Sequence, residues 1–408
     1  MASVSRAADR TDRNPRLDGV RGLAVLLVML YHTTHYGGAQ SAGAVALTFV
    51  PAMGWSGVDL FFVLSGFLIT GILLRAKPHG SYFGAFYARR VLRIFPLYYA
   101  FIAFFFLVVP HIEIFSYVDF FWFPEAERET IWYWTYLSNI QVALRGIWQH
   151  QILAITWSLA IEEHFYLFWP AVVWWVDERW LPWVCCGMVA CALALRAGLL
   201  VAGADPLVPY VLTPCRLDPL AVGAWLAVMA RRPGGLDRFS RWAGPACLSA
   251  LTAFGALYAW VRFATGSSVA PLVTYEQRQI AILGFVHEPW IQTLGFTLLA
   301  MAYGALVVWV ITARGGALRA RFFEFRPLCS LGKYSYSMYL VHVFVALLVL
   351  GLFAPAAHPE RFVLSQLLFW AVSISVTYLV ARFTWLAVEE PVLSLKSRFP
   401  YPGAREAS

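Results

Sequence analysis

The chain has 408 residues, of which 60% are hydrophobic and only 13% are charged, and its formal net charge is +8 at pH 7. Soluble domains contain about a quarter charged residues, so this composition excludes an ordinary cytosolic enzyme, a disordered chain and a small disulfide-rich protein. The excess of apolar side chains instead predicts a protein that is embedded in a lipid bilayer.

Apolar runs of the length that a membrane helix needs, about 20 residues, recur along the whole chain. Ten are predicted as spans, at residues 17–36, 55–75, 91–110, 156–176, 182–202, 211–230, 242–263, 291–313, 329–353 and 362–388. A shorter stretch at 131–148 is rich in Trp and Tyr and is predicted to lie in the membrane interface or to re-enter it. A cleaved leader is the alternative for the first run, but its charged residues and histidines favour a retained helix. We therefore predict an all-α polytopic integral membrane protein with about ten transmembrane helices.

The basic residues predict the orientation of these spans. Segments on the N-terminal side of the membrane contain most of the basic residues, and the opposite segments contain only Arg128, Arg145, Arg278 and Arg361. Because positively charged loops stay in the cytoplasm, both termini are predicted to be cytoplasmic. The prediction is an N-terminal tail at 1–16, a membrane domain at 17–390 and a short basic tail at 391–408, in the inner (plasma) membrane. Basic residues that flank spans explain the net charge without nucleic acid as a partner.

Ionisable residues inside a predicted span are costly and indicate a functional site. Arg21 and His32 lie 11 residues apart on the first span, which puts them on one helix face and about 16 Å apart along its axis. The predicted depths define two polar layers. The outer layer contains His32, His35, Asp59, Glu162, Glu163, Arg216 and Asp218, and the inner layer contains Arg21, Arg89, Arg90, Arg93, Lys333 and Glu390.

The two layers suit the two ends of an acyl-CoA donor. Guanidinium groups bind phosphates bidentately, so we predict that Arg21, Arg90 and Arg93 hold the donor at the cytoplasmic side. His32, in the outer half, takes a proton from a hydroxyl near neutral pH and is the predicted catalytic base. No metal is expected, and the cysteines are interpreted as packing residues.

The other outer residues are given supporting roles in this hypothesis. A nearby carboxylate is expected to orient the histidine ring, and the predicted acceptor contacts are a histidine and an Arg–Asp pair. The carboxylate candidates are Glu162, Glu163 and Asp59, and the substrate-binding candidates are His35, Arg216 and Asp218. The alternatives are positive-inside anchors for the arginines and a structural ion pair between Arg216 and Glu162 or Glu163.

Seven stretches occur together between residues 16 and 391. They are RLDGVRGLA at 16–24 followed by His32, GVDLFFVLSGFL at 57–68, YARRVLRIFPLY at 87–98, WSLAIEEHFY at 157–166, RLDPLAVG at 216–223, LGKYSYSMYLVH at 331–342 and VEEP at 388–391. In this order they resemble the acyltransferase-3 family of integral membrane acyltransferases, which includes bacterial surface-polysaccharide O-acetyltransferases. The family's R-x10-H motif matches Arg21 and His32, and its R-x-x-R motif matches Arg90 and Arg93.

The resemblance implies transfer of an acyl group, which we expect to be acetyl, from cytosolic acyl-CoA to a hydroxyl of a sugar or glycan. Direct transfer with His32 as base is favoured over a transient acyl-histidine. Some family members carry a fused C-terminal hydrolase-like domain, and none is expected in this sequence. A surface glycan, a lipid-linked sugar and a small glycosylated metabolite therefore stay open as acceptors. The alternative function is a transporter or flippase that uses the same polar residues as a substrate path.

Overall fold

The computed structural model describes residues 14–34, 42–78, 81–112, 129–148, 150–264, 288–353 and 361–400. These residues form helices and connecting turns, with no strand among them, so the prediction of an all-α protein is confirmed. A helix overlaps each of the ten predicted spans, although the helix at the third span begins nine residues before residue 91. These helices are α1 (Pro15–Thr33), α2 (Gly57–Ala76), α3 (Tyr82–Ala103), α4 (Thr156–Trp175), α5 (Leu181–Val201), α6 (Leu217–Ala230), α7 (Ser240–Ala264), α8 (Phe296–Ile311), α9 (Arg326–Phe353) and α10 (Phe362–Thr384).

Seven helical stretches within the described ranges are long and apolar enough to cross a membrane. They correspond to α2, α3, α5, α7, α8, α9 and α10, and the longest of them is Phe362–Arg398. The protein is therefore a multi-pass membrane protein. The other three helices differ, because α6 has only 14 residues and both α1 and α4 contain charged residues. The total of ten spans and the cytoplasmic side of the termini stay predictions.

The start of α1 follows from the local sequence. The Asn14 side chain accepts a hydrogen bond of 3.0 Å from the backbone N–H of Arg16, and Pro15 occupies the first turn, where its missing N–H costs nothing. The Arg16 side chain donates to the carbonyl groups of Ile311 and Ala313 at 3.0 and 2.7 Å. These bonds fasten the beginning of α1 to the end of α8.

Helices α1 and α9 touch backbone to backbone. A Cβ atom at Gly332 would lie 1.8 Å from the carbonyl oxygen of Asp18, so only glycine fits there. Small residues at such interfaces allow membrane helices to approach closely. Further along both helices, His32 meets His342. The residue numbers of these contacts increase in the same direction along both helices. Helices α1 and α9 therefore run parallel, as their predicted orientations require.

We expect Gly332→Ala to destabilise the protein by about 1–3 kcal/mol, because the added methyl group must push α1 and α9 apart. The measurement is the melting temperature of the purified protein in detergent. Gly187→Ala in α5 is the matched control, since a Cβ there meets nothing within 4 Å. A Gly332→Ala protein that melts as high as the control would contradict the tight interface.

Helices α2 and α6 are packed in a similar way. A Cβ atom at Gly66 would lie 2.0 Å from the carbonyl oxygen of Leu220. This close approach brings Asp59, in the first turn of α2, next to Arg216, which directly precedes α6. The interface therefore joins two charged residues that lie 157 positions apart in the chain.

The segment 131–148 contains two short helices, Ile131–Trp134 and Ser138–Arg145. The longer one has 8 residues, which corresponds to about 12 Å, well short of a hydrocarbon core of about 30 Å. Neither helix is long enough to span a membrane, in agreement with the prediction for this segment.

The helix that begins as α10 continues past residue 390, where the sequence predicts a tail. It passes through a π-helical turn at Trp385–Glu389, an α-helical turn at Glu390–Ser394 and a 3₁₀ turn at Leu395–Arg398. Arg89 of α3 donates to the carbonyl groups of Lys396 and Phe399 at 3.3 and 3.2 Å. The first residues of the predicted tail are therefore helical and bound to α3.

Candidate active site

A cavity of about 120 Å³ lies between α1, α2, α3, α4 and α9. Five charged side chains line it: Arg21, Arg90, Arg93, Glu162 and Glu163. The rest of the lining is apolar or carries hydroxyl groups, and it includes Val58, Phe61, Phe62, Leu64, Ser65, Ile94, Ser158, Leu159, Tyr166, Ser335, Tyr336 and Tyr339. Three guanidinium groups around one space form a site that fits an anionic ligand.

Helix α3 supplies two of the three arginines. Arg90 and Arg93 are three residues apart and are neighbours on one helix face. Arg93 Nη1 lies 3.5 Å from Glu389 Oε2, and its guanidinium lies 5.3 Å from the centre of the Trp385 ring. The Arg90 guanidinium lies 5.9 Å from the Tyr166 ring centre. Arg90 Nε is buried and has no hydrogen-bond partner within the described part of the chain.

Arg21 reaches the cavity from α1. Its Nη1 lies 3.9 Å from Asp18 Oδ1, one turn earlier in the helix, and its side chain is 37% exposed. Arg21 and Asp18 therefore share a face, as the spacing predicts. The partial exposure shows that the guanidinium borders open space rather than packed side chains.

Glu389 is the partner of the cavity residue Arg93, and the sequence did not indicate it as a site residue. It is 3% exposed, accepts a short hydrogen bond from Ser337 and faces Arg93. The sequence places the adjacent Glu390 in the inner layer instead. Neighbouring residues on a helix point about 100° apart, and the π-helical turn that ends at Glu389 changes the face that each presents. Two adjacent glutamates in the sequence indicate a polar site, but only the structure shows which of them faces Arg93.

Glu162 faces the arginine cavity and not His32. The Ser65 hydroxyl donates a hydrogen bond of 2.5 Å to Glu162 Oε1. The predicted outer depth of Glu162 and Glu163 is therefore wrong, because both line the same space as Arg21. Both the predicted span and α4 begin at residue 156, so the difference lies in the vertical shift of α4 relative to α1 and not in the position of Glu162 along its own helix. The sequence does not reveal how deep a helix begins.

His32 is paired with a second histidine. His32 Nδ1 lies 3.2 Å from His342 Nε2 and 2.9 Å from the carbonyl oxygen of Val28. His342 is fully buried, and its own Nδ1 lies 2.6 Å from the carbonyl oxygen of Tyr339. No hydrogen bond joins His32 to a carboxylate among the residues that the structure describes. The side chain that contacts the His32 ring is His342, rather than one of the expected carboxylates, Glu162, Glu163 or Asp59.

The backbone carbonyl groups determine where the ring protons lie. A carbonyl oxygen only accepts, so His342 Nδ1 donates to Tyr339 and His32 Nδ1 donates to Val28. Neutral His342 then carries its lone pair on Nε2, which accepts from Nδ1–H of His32. Neutral His32 has its own lone pair on Nε2. That atom belongs to an exposed side chain and is suited to take a proton from a hydroxyl.

Tyr339 connects the cavity to the histidine pair. Its side chain lines the cavity, and its hydroxyl lies 2.5 Å from Ser158 Oγ. Its carbonyl group accepts the hydrogen bond from His342, three residues further along α9. The arginine cavity and the histidine pair are therefore neighbours along one helix.

Asp59, Arg216 and Asp218 are paired with buried charges. Arg216 Nη2 lies 2.8 Å from Asp59 Oδ1, with the two side chains 1% and 0% exposed. Arg196 Nη2 lies 2.9 Å from Asp218 Oδ2, and both side chains are 0% exposed. None of these four residues lines the cavity. Asp59, for which a catalytic role is expected, and Arg216 and Asp218, for which substrate-binding roles are expected, therefore lie in buried ion pairs that join α2, α5 and α6, away from the cavity.

The sequence did not identify Arg196 as the partner of Asp218. A lone arginine in an apolar run signals that a partner exists, because an unpaired charge there is too costly. The partner lies 22 positions away in the chain, and the bond to the Thr297 hydroxyl at 2.8 Å comes from α8. Only the packing of the helices reveals these contacts.

Two further histidines, His35 and His164, are close in sequence to the residues described above. His35 lies outside the described residues. His164 Nδ1 lies 2.7 Å from the Thr213 hydroxyl and is separate from the His32–His342 pair. Within the described ranges, no group of three His, Cys, Asp or Glu side chains is arranged to hold a metal ion.

Comparisons with known proteins give the family. The family model described as an acyltransferase domain matches residues 14–385. The chain is 25% identical over 404 residues to the O-acetyltransferase OatA of Staphylococcus aureus, an alignment that covers 93% of this chain and 57% of that protein. It is 25% identical over 403 residues to the peptidoglycan O-acetyltransferase OatA of Listeria monocytogenes, covering 93% of this chain and 55% of that protein.

A third relative is the putative peptidoglycan O-acetyltransferase YrhL of Bacillus subtilis, which is 26% identical over 390 residues, covering 93% of this chain and 54% of that protein. The chain thus spans little more than half the length of the curated relatives that it matches. No solved structure matches the chain. The family match includes all five charged cavity residues and both paired histidines. The chain therefore belongs to the acyltransferase-3 family of membrane proteins, as its motifs predict.

Proposed function

We propose that the protein is an O-acetyltransferase that takes an acetyl group from cytosolic acetyl-CoA and transfers it to a hydroxyl of a cell-envelope glycan. The observation that carries this proposal is the cluster of three guanidinium groups, those of Arg21, Arg90 and Arg93, around one cavity. Two of the relatives, those of Listeria monocytogenes and Bacillus subtilis, are named as peptidoglycan O-acetyltransferases, the second as a putative one, and these names support a glycan acceptor.

In this proposal the arginine cavity binds the phosphate end of the donor. Phosphates accept bidentate hydrogen bonds from guanidinium groups, and the cavity offers three of them. Glu162 and Glu163 balance the positive charge of the cavity and accept hydrogen bonds from donor hydroxyl and amide groups. The thioester then lies on the side of the cavity that Tyr339 forms, next to the histidine pair.

His32 acts as the general base. Its Nε2 accepts the proton of the sugar hydroxyl while the hydroxyl oxygen forms a bond to the thioester carbonyl carbon. The carbon–sulfur bond breaks, and the proton passes from His32 to the departing thiolate of coenzyme A. Donor and acceptor react in one complex, so no acyl-enzyme forms and the neutral ring is regenerated.

We place this activity in a membrane domain at residues 17–390, with both termini in the cytoplasm and the protein in the plasma membrane. The arginine cavity then lies towards the cytoplasm, where the donor is made. His32, 11 residues further along α1 and about 16 Å away along the helix, lies towards the outer face, where the glycan is found.

The test is a binding and transfer assay with the purified full chain in detergent, using acetyl-CoA and soluble peptidoglycan fragments. Arg90→Ala and Arg93→Ala are each expected to raise the dissociation constant of acetyl-CoA about 10- to 100-fold, because a charged hydrogen bond contributes about 1.5–3 kcal/mol. Lysine at either position is expected to restore only part of the affinity, since it lacks the planar pair of donors.

Arg89→Ala is the matched control, because Arg89 is adjacent on α3 but bonds backbone carbonyl groups near the C-terminal end of the described chain. Unchanged donor affinity in both cavity variants would overturn the donor site. Coenzyme A release in detergent supports an acyltransferase, because no sealed vesicle is present. A protein that moves substrate only across sealed vesicles and releases no coenzyme A would be a transporter or flippase.

A further inference from the structure

We propose that His342 is the positioning residue of His32, with a neutral imidazole in the place where a carboxylate is expected. This inference rests on the proposed role of His32 as the base. It assigns a role to a buried histidine on α9 whose Nε2 lies 3.2 Å from the reacting ring.

The position of His342 is determined from two sides. Its Nδ1–H donates to the Tyr339 carbonyl oxygen at 2.6 Å, which leaves only Nε2 as an acceptor. Its side chain is 0% exposed, so no solvent competes for that lone pair. The contact of Gly332 with Asp18 holds α1 and α9 together. The acceptor is therefore fixed in direction and in distance before any substrate binds.

This acceptor becomes more important during the reaction. When His32 Nε2 takes a proton, the ring becomes an imidazolium and its Nδ1–H becomes a stronger donor. Two acceptors face that group, the Val28 carbonyl oxygen on its own helix and His342 Nε2 on α9. The second bond holds the ring plane relative to α9, the helix that also forms one wall of the cavity.

A histidine suits this place better than a carboxylate does. A neutral imidazole accepts one hydrogen bond at little desolvation cost, whereas a buried carboxylate carries a penalty of several kcal/mol. The aspartate of a Ser-His-Asp triad likewise sets the tautomer of its histidine and stabilises the imidazolium. In this protein the Val28 carbonyl oxygen already sets the tautomer of His32, and His342 supplies the second effect through a neutral lone pair.

The test compares His342→Phe, which removes the acceptor, with His342→Gln, whose amide oxygen replaces it. We expect kcat for acetyl transfer to fall about 10- to 100-fold in His342→Phe and to recover most of that loss in His342→Gln. The KM for acetyl-CoA should stay within about 2-fold of the parent value, because His342 does not line the donor cavity. His342→Leu provides a second variant without the acceptor if the phenylalanine variant does not fold.

His150→Phe is the matched control, because it replaces another buried histidine that packs against aromatic rings away from the cavity. The double variant of His32→Ala with His342→Phe should be no slower than His32→Ala alone, since positioning has no effect without the base. Equal defects in His342→Phe and His342→Gln, or a defect in KM alone, would overturn the positioning role. Activity retained in His32→Ala would instead overturn the proposed base itself.

Discussion

Replacement of His32 by alanine is expected to lower acetyl transfer about 10²- to 10⁴-fold, the usual contribution of a general base. Donor binding should stay within about 2-fold of the parent value, because His32 does not line the arginine cavity. Folding should also be retained, because α1 and α9 stay in close contact elsewhere, as at Asp18 and Gly332. The measurements are coenzyme A release with a glycan acceptor and acetyl-CoA affinity.

His164→Ala is the control for this experiment, because that histidine bonds Thr213 and lies apart from the histidine pair. Near-normal transfer by the His32→Ala protein would contradict the assignment and direct attention to His164 or His35. Labelled acetyl-CoA supplied without an acceptor separates the two mechanisms. Direct transfer leaves the protein unlabelled, whereas a transient acyl-histidine leaves a label that is absent from His32→Ala.

Asp218→Asn should reduce stability by about 3–5 kcal/mol, because it leaves the buried Arg196 charge without a counter-charge. Asn keeps the shape of Asp218 but removes its charge and replaces one of the two accepting oxygens by an NH2 group. Arg196 is 0% exposed and makes two hydrogen bonds to Asp218, at 3.0 and 2.9 Å. The measurement is the melting temperature or the resistance of the purified protein to denaturant.

The exposed pair of Arg231 and Glu178 provides the matched control. Its atoms are also 3.0 Å apart, but both side chains are 40% exposed, so Glu178→Gln should change stability by at most about 1 kcal/mol. Replacing Arg196 by Met together with Asp218 by Leu should recover much of the stability, because no buried charge is then unpaired. Equal effects of Asp218→Asn and Glu178→Gln would contradict the structural role of the buried pair.

Several features of this protein are determined by the sequence alone. Long apolar runs predict the positions of the ten helices because a membrane helix satisfies its own backbone groups, whatever its neighbours are. The three-residue spacing of Arg90 and Arg93 puts both on one helix face, because helix geometry depends only on positions within the same helix. The ordered motifs identify the family, which the match over residues 14–385 confirms.

The tertiary structure decided which polar residues meet. The sequence grouped Glu162 with His32 by depth, whereas the packing places Glu162 with the arginines and gives His32 a histidine partner. Partner choice depends on the rotation and the vertical shift of each helix relative to the others. Those quantities are set by contacts between distant positions, such as Gly332 against the backbone of Asp18. A periodic sequence pattern specifies the faces of one helix at a time, and the pairing of faces arises only when the bundle is packed.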